Sequence, residues 1–127
     1  MILKPEVKGI DSLGAPLYIA LGFLQSAFWE YAGIELTITS LKEGDHKEGS
    51  KHPHGLACDA QTSLLTTEQK LKILAFCKAK LDPLGFDTMI HGLVEHLHCE
   101  YDPMPGERLW HWKTPMHDIT IAHTGES

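Results

Sequence analysis

A chain of 127 residues is long enough for one hydrophobic core and too short for a second of any size, so a single domain over 1–127 is expected. Apolar residues at 43% and charged residues at 22% are globular proportions and argue against a disordered or fibrous chain. Seventeen acidic against 11 basic residues, a formal charge of -6, leave no electrostatic footprint for nucleic acid or an anionic membrane surface.

The opening Met1-Ile2-Leu3-Lys4-Pro5-Glu6 lacks the basic and apolar runs of a secretory signal. No stretch approaches the roughly 20 apolar residues of a membrane helix. A soluble product made in the cytoplasm is expected, a monomer with no membrane insertion. From Ala15 to Tyr31, Leu17, Ala20, Leu21, Leu24, Ala27, Phe28 and Tyr31 recur at spacings of three and four, the stripe of an amphipathic helix, and Gly33 is its expected cap. Ile34 to Ser40 alternates, with Ile34, Leu36 and Ile38 on one face, and predicts a half-buried strand.

Between Leu41 and Gly55 the composition turns to Gly, Lys, Glu, Asp, His, Ser and Pro, which predicts a surface loop carrying His46, His52 and His54. Leu56 to Ala60 reads as a short apolar strand interrupted by Asp59. Thr66 with Gln69 three residues on forms a capping-box pattern for a second helix, with Leu71, Leu74, Ala75, Lys78 and Leu81 as its stripe. Pro83 and Gly85 close it, Phe86 to Ile90 is a further strand, and Leu93 to Tyr101 alternates as another. This order predicts an α+β domain, a small and mainly antiparallel sheet flanked by helices.

Cys58, Cys77 and Cys99 are odd in number and form no C-x-x-C pair, so reduced thiols are expected. Nine histidines in so short a chain, clustered in 46–54 and 91–98, call for another explanation. In Ser50-Lys51-His52-Pro53-His54-Gly55-Leu56-Ala57-Cys58-Asp59 a histidine on a loop is followed seven residues later by a carboxylate in an apolar strand. Pro53 disfavours helix at His52, and Gly55 permits the sharp turn that brings the two side chains together. A carboxylate among apolar neighbours is costly unless a cation or hydrogen-bond donors compensate it. Zn²⁺ supplies that compensation and takes His nitrogen and Asp or Glu oxygen at about 2.0–2.2 Å. Glu95-His96-Leu97-His98 supplies candidates for a third ligand, since His96 and His98 share a strand face. Three protein ligands leave a fourth position, the pattern of a catalytic zinc site.

Ser50 through Asp59 matches S-x-H-x-x-G-x-A-x-D at every fixed position, and Glu95 with His98 matches a downstream E-x-x-H. In these motifs, over roughly 34–101, the chain resembles the D-alanyl-D-alanine carboxypeptidase and L-alanyl-D-glutamate endopeptidase family, in particular its small phage lysis members. His96-Leu97-His98-Cys99 also resembles the hedgehog signalling domain of the same fold. The resemblance implies one Zn²⁺ per chain on His52, Asp59 and His98, Glu95 as general base, and His96 as donor to the developing oxyanion. It further implies peptidoglycan stem peptide as substrate and cell-wall lysis after release, or as a virion component, as the role. Ser50 is expected to bond substrate or brace the ligand. Where that family commonly has an arginine shortly after the Ser40 position, this chain has Leu41-Lys42-Glu43, and Lys42 is the expected point charge for a substrate carboxylate.

The alternative from another class is a non-catalytic zinc module, a virion component or an interaction domain, in which the metal only stiffens the loop. Trp110 and Trp112 would share a strand face and fit either a core or a stacking surface.

Overall fold

The structure is a computed structural model that describes residues 1–42 and 54–103. Its elements run β1 (Ile2–Leu3), a 3-10 turn (Ile10–Ser12), α1 (Ala15–Ala32), β2 (Thr37–Ser40), β3 (Ala57–Gln61), α2 (Thr67–Leu81), a second 3-10 turn (Asp82–Leu84), β4 (Phe86–His91) and β5 (His96–Tyr101). The expected α+β class is what forms. One five-stranded sheet has the order β1-β2-β3-β5-β4, with β1 parallel to β2 and the other three pairings antiparallel.

The helices follow their local signals closely. Pro16, in the first turn of α1, needs no intrahelical partner for its nitrogen, and Gly33 closes the far end with its N–H on the Phe28 and Trp29 carbonyls. Both halves of the predicted capping box form: Gln69 N–H donates to Thr66 Oγ1 at 3.1 Å, and Thr66 N–H donates to Gln69 Oε1 at 2.9 Å. The buried stripe of α2 is Ile73, Leu74, Cys77 and Leu81, whereas Ala75, expected to be inside, is exposed. A larger side chain at 73 or 77 buries more apolar surface than alanine at 75, and that decides the rotation of the helix.

Two strand expectations are corrected. The strand expected from Ile34 forms only over Thr37–Ser40. Ile34 N–H is drawn back to the Phe28 carbonyl and Leu36 N–H to Gln25 Oε1, so the segment after α1 is spent on capping the helix. The strand expected from Leu93 starts only at His96, because β4 and β5 pair as a hairpin with His91 opposite His96 and residues 92–95 make the turn. Smaller shifts move β3 to Ala57–Gln61 and extend β4 to His91. The short β1 carried no periodic signal. Residues 43–53, expected as a loop with His46, Ser50 and His52, and the segment with Trp110 and Trp112 lie outside the described residues.

Strand alternation separates the sheet into two unlike faces. Ala60, Leu97 and Ile90 form one cross-strand row, and Cys58, Cys99 and Thr88 the next. These residues are buried, and all but Thr88 belong to the core cluster with Leu17, Leu24 and Phe28 of α1 and Ile73, Leu74 and Leu81 of α2. The opposite face carries the rows Gln61–His96–His91, Asp59–His98–Met89 and Ala57–Glu100–Asp87. Nearly all the polar chemistry of the central strands is therefore on one side of one sheet. The three cysteines are free and buried; the hydrogen bond between Cys58 and Cys99 and then burial push the Cys58 thiol up, and burial pushes Cys77 up. No described helix is long and apolar enough to cross a membrane.

Candidate metal centre

Asp59 and His98 are 39 residues apart in sequence and directly opposite in the β3–β5 register. His98 Nδ1 lies 2.7 Å from Asp59 Oδ1, and its Nε2 lies 2.8 Å from Glu100 Oε1. An imidazole between two carboxylates is held in one orientation, and both contacts are side-chain hydrogen bonds of charge-assisted length. Burial by itself pulls the His98 pKa down, but the bonds to Asp59 and Glu100 and the charges of both carboxylates outweigh it and raise it to about 9. Without a metal, a proton on His98 therefore supplies the cation that Asp59 needs.

His96 approaches from the neighbouring row. Its Nε2 is 3.7 Å from Asp59 Oδ1, and its Nδ1 is 2.9 Å from the Val94 carbonyl. A carbonyl only accepts, so Nδ1 carries the proton, and in the neutral ring Nε2 presents its lone pair. His91 completes the group: its ring centroid is 4.8 Å from that of His96 and 5.9 Å from that of His98. One nitrogen from each of His91, His96 and His98 lies within 4.8 Å of the other two. The row beyond His98 is acidic, with carboxylate oxygens of Asp87, Glu100 and Asp102 equally close to one another.

The donor chemistry fits a divalent transition ion. Imidazole and carboxylate suit zinc, and two ligands at about 2.0–2.1 Å from one ion at a tetrahedral angle stand about 3.4 Å apart. The 3.7 Å between His96 and Asp59 already has that span; the 2.7 Å between His98 and Asp59 must open once the shared proton leaves. Glu100 on the far nitrogen of His98 has the place of the outer carboxylate that fixes the tautomer of metal-binding histidines.

Glu95 lies on the hairpin turn. Its Oε1 accepts from Lys70 Nζ at 2.6 Å and from Thr62 Oγ1 at 2.9 Å, which ties the turn to the first turns of α2 and the end of β3. Oε2 has no hydrogen-bond partner among the described residues. Among the described residues, Glu95 and His96 share with Lys4, Thr39, Asp59, Gln61, Ser63 and Gly92-Leu93-Val94 the lining of a cleft of about 480 Å³. Leu93 and Val94, at the tip of the turn, are 109% and 86% exposed.

The structure thus brings together Asp59, His96 and His98, and Glu95 lines one cleft with Asp59 and His96, while His52 and Ser50 lie outside the described residues. Gly55 has the expected left-handed backbone, φ 69°, and docks on the start of α1, its carbonyl accepting from Gly14 N–H at 2.8 Å. Lys42 is turned elsewhere: its ammonium donates to the Ser12 carbonyl at 3.4 Å and to Ser12 Oγ at 3.3 Å. The lysine among the described residues of the cleft is Lys4. His91 was missed by sequence reasoning because a lone histidine ending an apolar strand gives no periodic signal; the one available clue is its place five residues before His96 across a glycine turn.

Comparison with protein-family models, with curated proteins and with solved structures finds no significant match.

Proposed function

We propose that this chain is a zinc-dependent peptidase that hydrolyses peptide bonds of bacterial peptidoglycan, of the D-alanyl-D-alanine carboxypeptidase or L-alanyl-D-glutamate endopeptidase type, in phage-associated wall lysis. The observation that carries the reading is the meeting of Asp59 and His98 at 2.7 Å, with Asp59 lining the same cleft as Glu95 and His96. Asp59 and His98, with His52 as the third expected ligand, would hold one Zn²⁺. When bound, zinc polarises a carbonyl and lowers the pKa of water.

The chain's own groups supply the rest. Glu95 is fixed at Oε1 by Lys70 and Thr62, so it enters the cleft with a settled orientation, as a general base must. Lys4 in the lining of the cleft offers a positive charge to an anionic substrate group, and Gln61 and Ser63 offer hydrogen bonds to a peptide backbone. The exposed Leu93-Val94 tip adds an apolar wall.

A second reading, a non-catalytic zinc module, draws support from the engagement of Glu95 by Lys70 at 2.6 Å and from the third imidazole, His91. Turnover of purified peptidoglycan by wild type and Glu95→Gln, with zinc measured in both, separates the two. Activity in the wild type that is lost in a fully zinc-loaded Glu95→Gln supports the peptidase. Full zinc and no turnover in either protein supports the module.

A further inference from the structure

We propose that His96 is a metal ligand through Nε2, and that the ion rests on three imidazoles of the β4–β5 hairpin, those of His91, His96 and His98, beside Asp59. The inference keeps the metal, Asp59 and His98 of the reading above, puts His91 and His96 in the place given there to His52, and does not depend on peptidase activity. It differs from the role that the H-x-H resemblance implies, in which His96 donates a hydrogen bond to a developing oxyanion.

The turn is built around the His96 ring. Gly92 has φ 103°, and a Cβ added there would come within 3.1 Å of His96 Cε1, 3.2 Å of Nδ1 and 3.1 Å of the Val94 carbonyl. Any side chain there would crowd both the ring and its acceptor and would strain a backbone at positive φ. Within that cradle Nδ1–H donates to Val94 at 2.9 Å, so the neutral ring has no proton on Nε2 with which to stabilise an oxyanion. What it presents instead is a lone pair, 3.7 Å from Asp59 Oδ1, a span natural to two ligands of one ion. An N–H tied to a backbone carbonyl with the other nitrogen aimed inward is the usual outer arrangement of metal-binding histidines.

His91 and His96 face each other directly in the register, and His98 is two residues on along the same strand face. Hairpin pairing alone therefore holds the three rings within ligand reach. A site on paired strands is better positioned than one on loops. Glu100 then acts as a positioning residue, accepting from His98 Nε2–H while Nδ1 turns to the ion.

The test is Zn²⁺ affinity of the full chain, measured by competition with a chromophoric chelator, for wild type, His96→Asn, His91→Asn and Gly92→Ala. The expected result is a Kd at least a hundredfold weaker for His96→Asn, tenfold or more for His91→Asn, and several-fold for Gly92→Ala. Because a variant can lose its fold, the wild type labelled with ¹⁵N-histidine provides a second readout. On zinc addition the Nε2 resonance of His96 should move to the metal-bound range while Nδ1 keeps its proton. Wild-type zinc affinity in His96→Asn together with an unmoved Nε2 resonance would overturn the assignment. Zinc bound as predicted without peptide hydrolysis would defeat the peptidase reading and leave the ligand assignment standing.

Discussion

The two faces of β5 are made from alternate residues of one six-residue segment, yet they obey different physics. Leu97, Cys99 and Tyr101 point to the helices, and the first two are fully buried among apolar neighbours. His96, His98 and Glu100 point to the opposite side, where their polar atoms are held by hydrogen bonds and ion pairs. The inner face gains stability in proportion to area removed from water. The outer face brings titratable groups together at a cost that a cation must offset. A strand can thus be tuned for function on one side with little effect on the core packing of the other.

The comparison breaks most visibly if the outer face is altered without touching the inner one. On the peptidase reading, Glu95→Gln, in the turn that leads into this face, should lower peptidoglycan turnover by about 10²–10⁴-fold with zinc content nearly unchanged, since it removes the proposed general base and keeps the shape of the side chain. Turnover assays and elemental analysis on one preparation check both halves. The reverse change, Leu97→Ala on the inner face, should destabilise the fold by about 2–5 kcal/mol in denaturant titration while leaving the ligands in place.

Proton and metal should compete on the outer face. The His98 pKa is raised to about 9 in the metal-free protein, above its ordinary value of 6.5. Its ion pairing therefore stabilises the fold fully below about pH 6.5 and is lost as pH climbs through about 9, an effect of on the order of 3 kcal/mol. Chelator-treated protein should melt lower at pH 9.5 than at pH 6, and His98→Gln should remove most of that difference. The smallest change belongs to the helix side: Thr66→Ala removes one half of the capping box and should cost about 1 kcal/mol in thermal unfolding, with no change in zinc affinity.

Legibility in the sequence followed the range of the interaction. Gly33 and the Thr66–Gln69 box act within one helical turn, and both helix ends stand where local chemistry puts them. The α+β class followed from the same alternation of signals. The hairpin turn did not, because Leu93 and Val94 look like strand residues in a period-two pattern although they are the most exposed large apolar side chains among the described residues. Only the pairing of His91 with His96, a tertiary event, turns Gly92–Glu95 into a turn. Of the site, Asp59 was singled out by its apolar neighbours and His98, one of two candidates on its strand, by the family resemblance; the structure sets the two opposite each other. His91, Glu100 and the Lys70 anchor of Glu95 were not, since each depends on cross-strand register or on where α2 packs. Lys42 shows the converse: the arginine that the resembling family has near this position suggested a substrate contact, and the Lys42 ammonium went to Ser12.

The account stands on a cation at the outer face of β3 and β5. Elemental analysis of the full chain purified without chelator, alongside Asp59→Asn, tests it most directly. One zinc per wild-type chain and a clearly lower zinc content in a folded Asp59→Asn is the predicted result. A folded wild type that carries no zinc and takes up none on titration would contradict it.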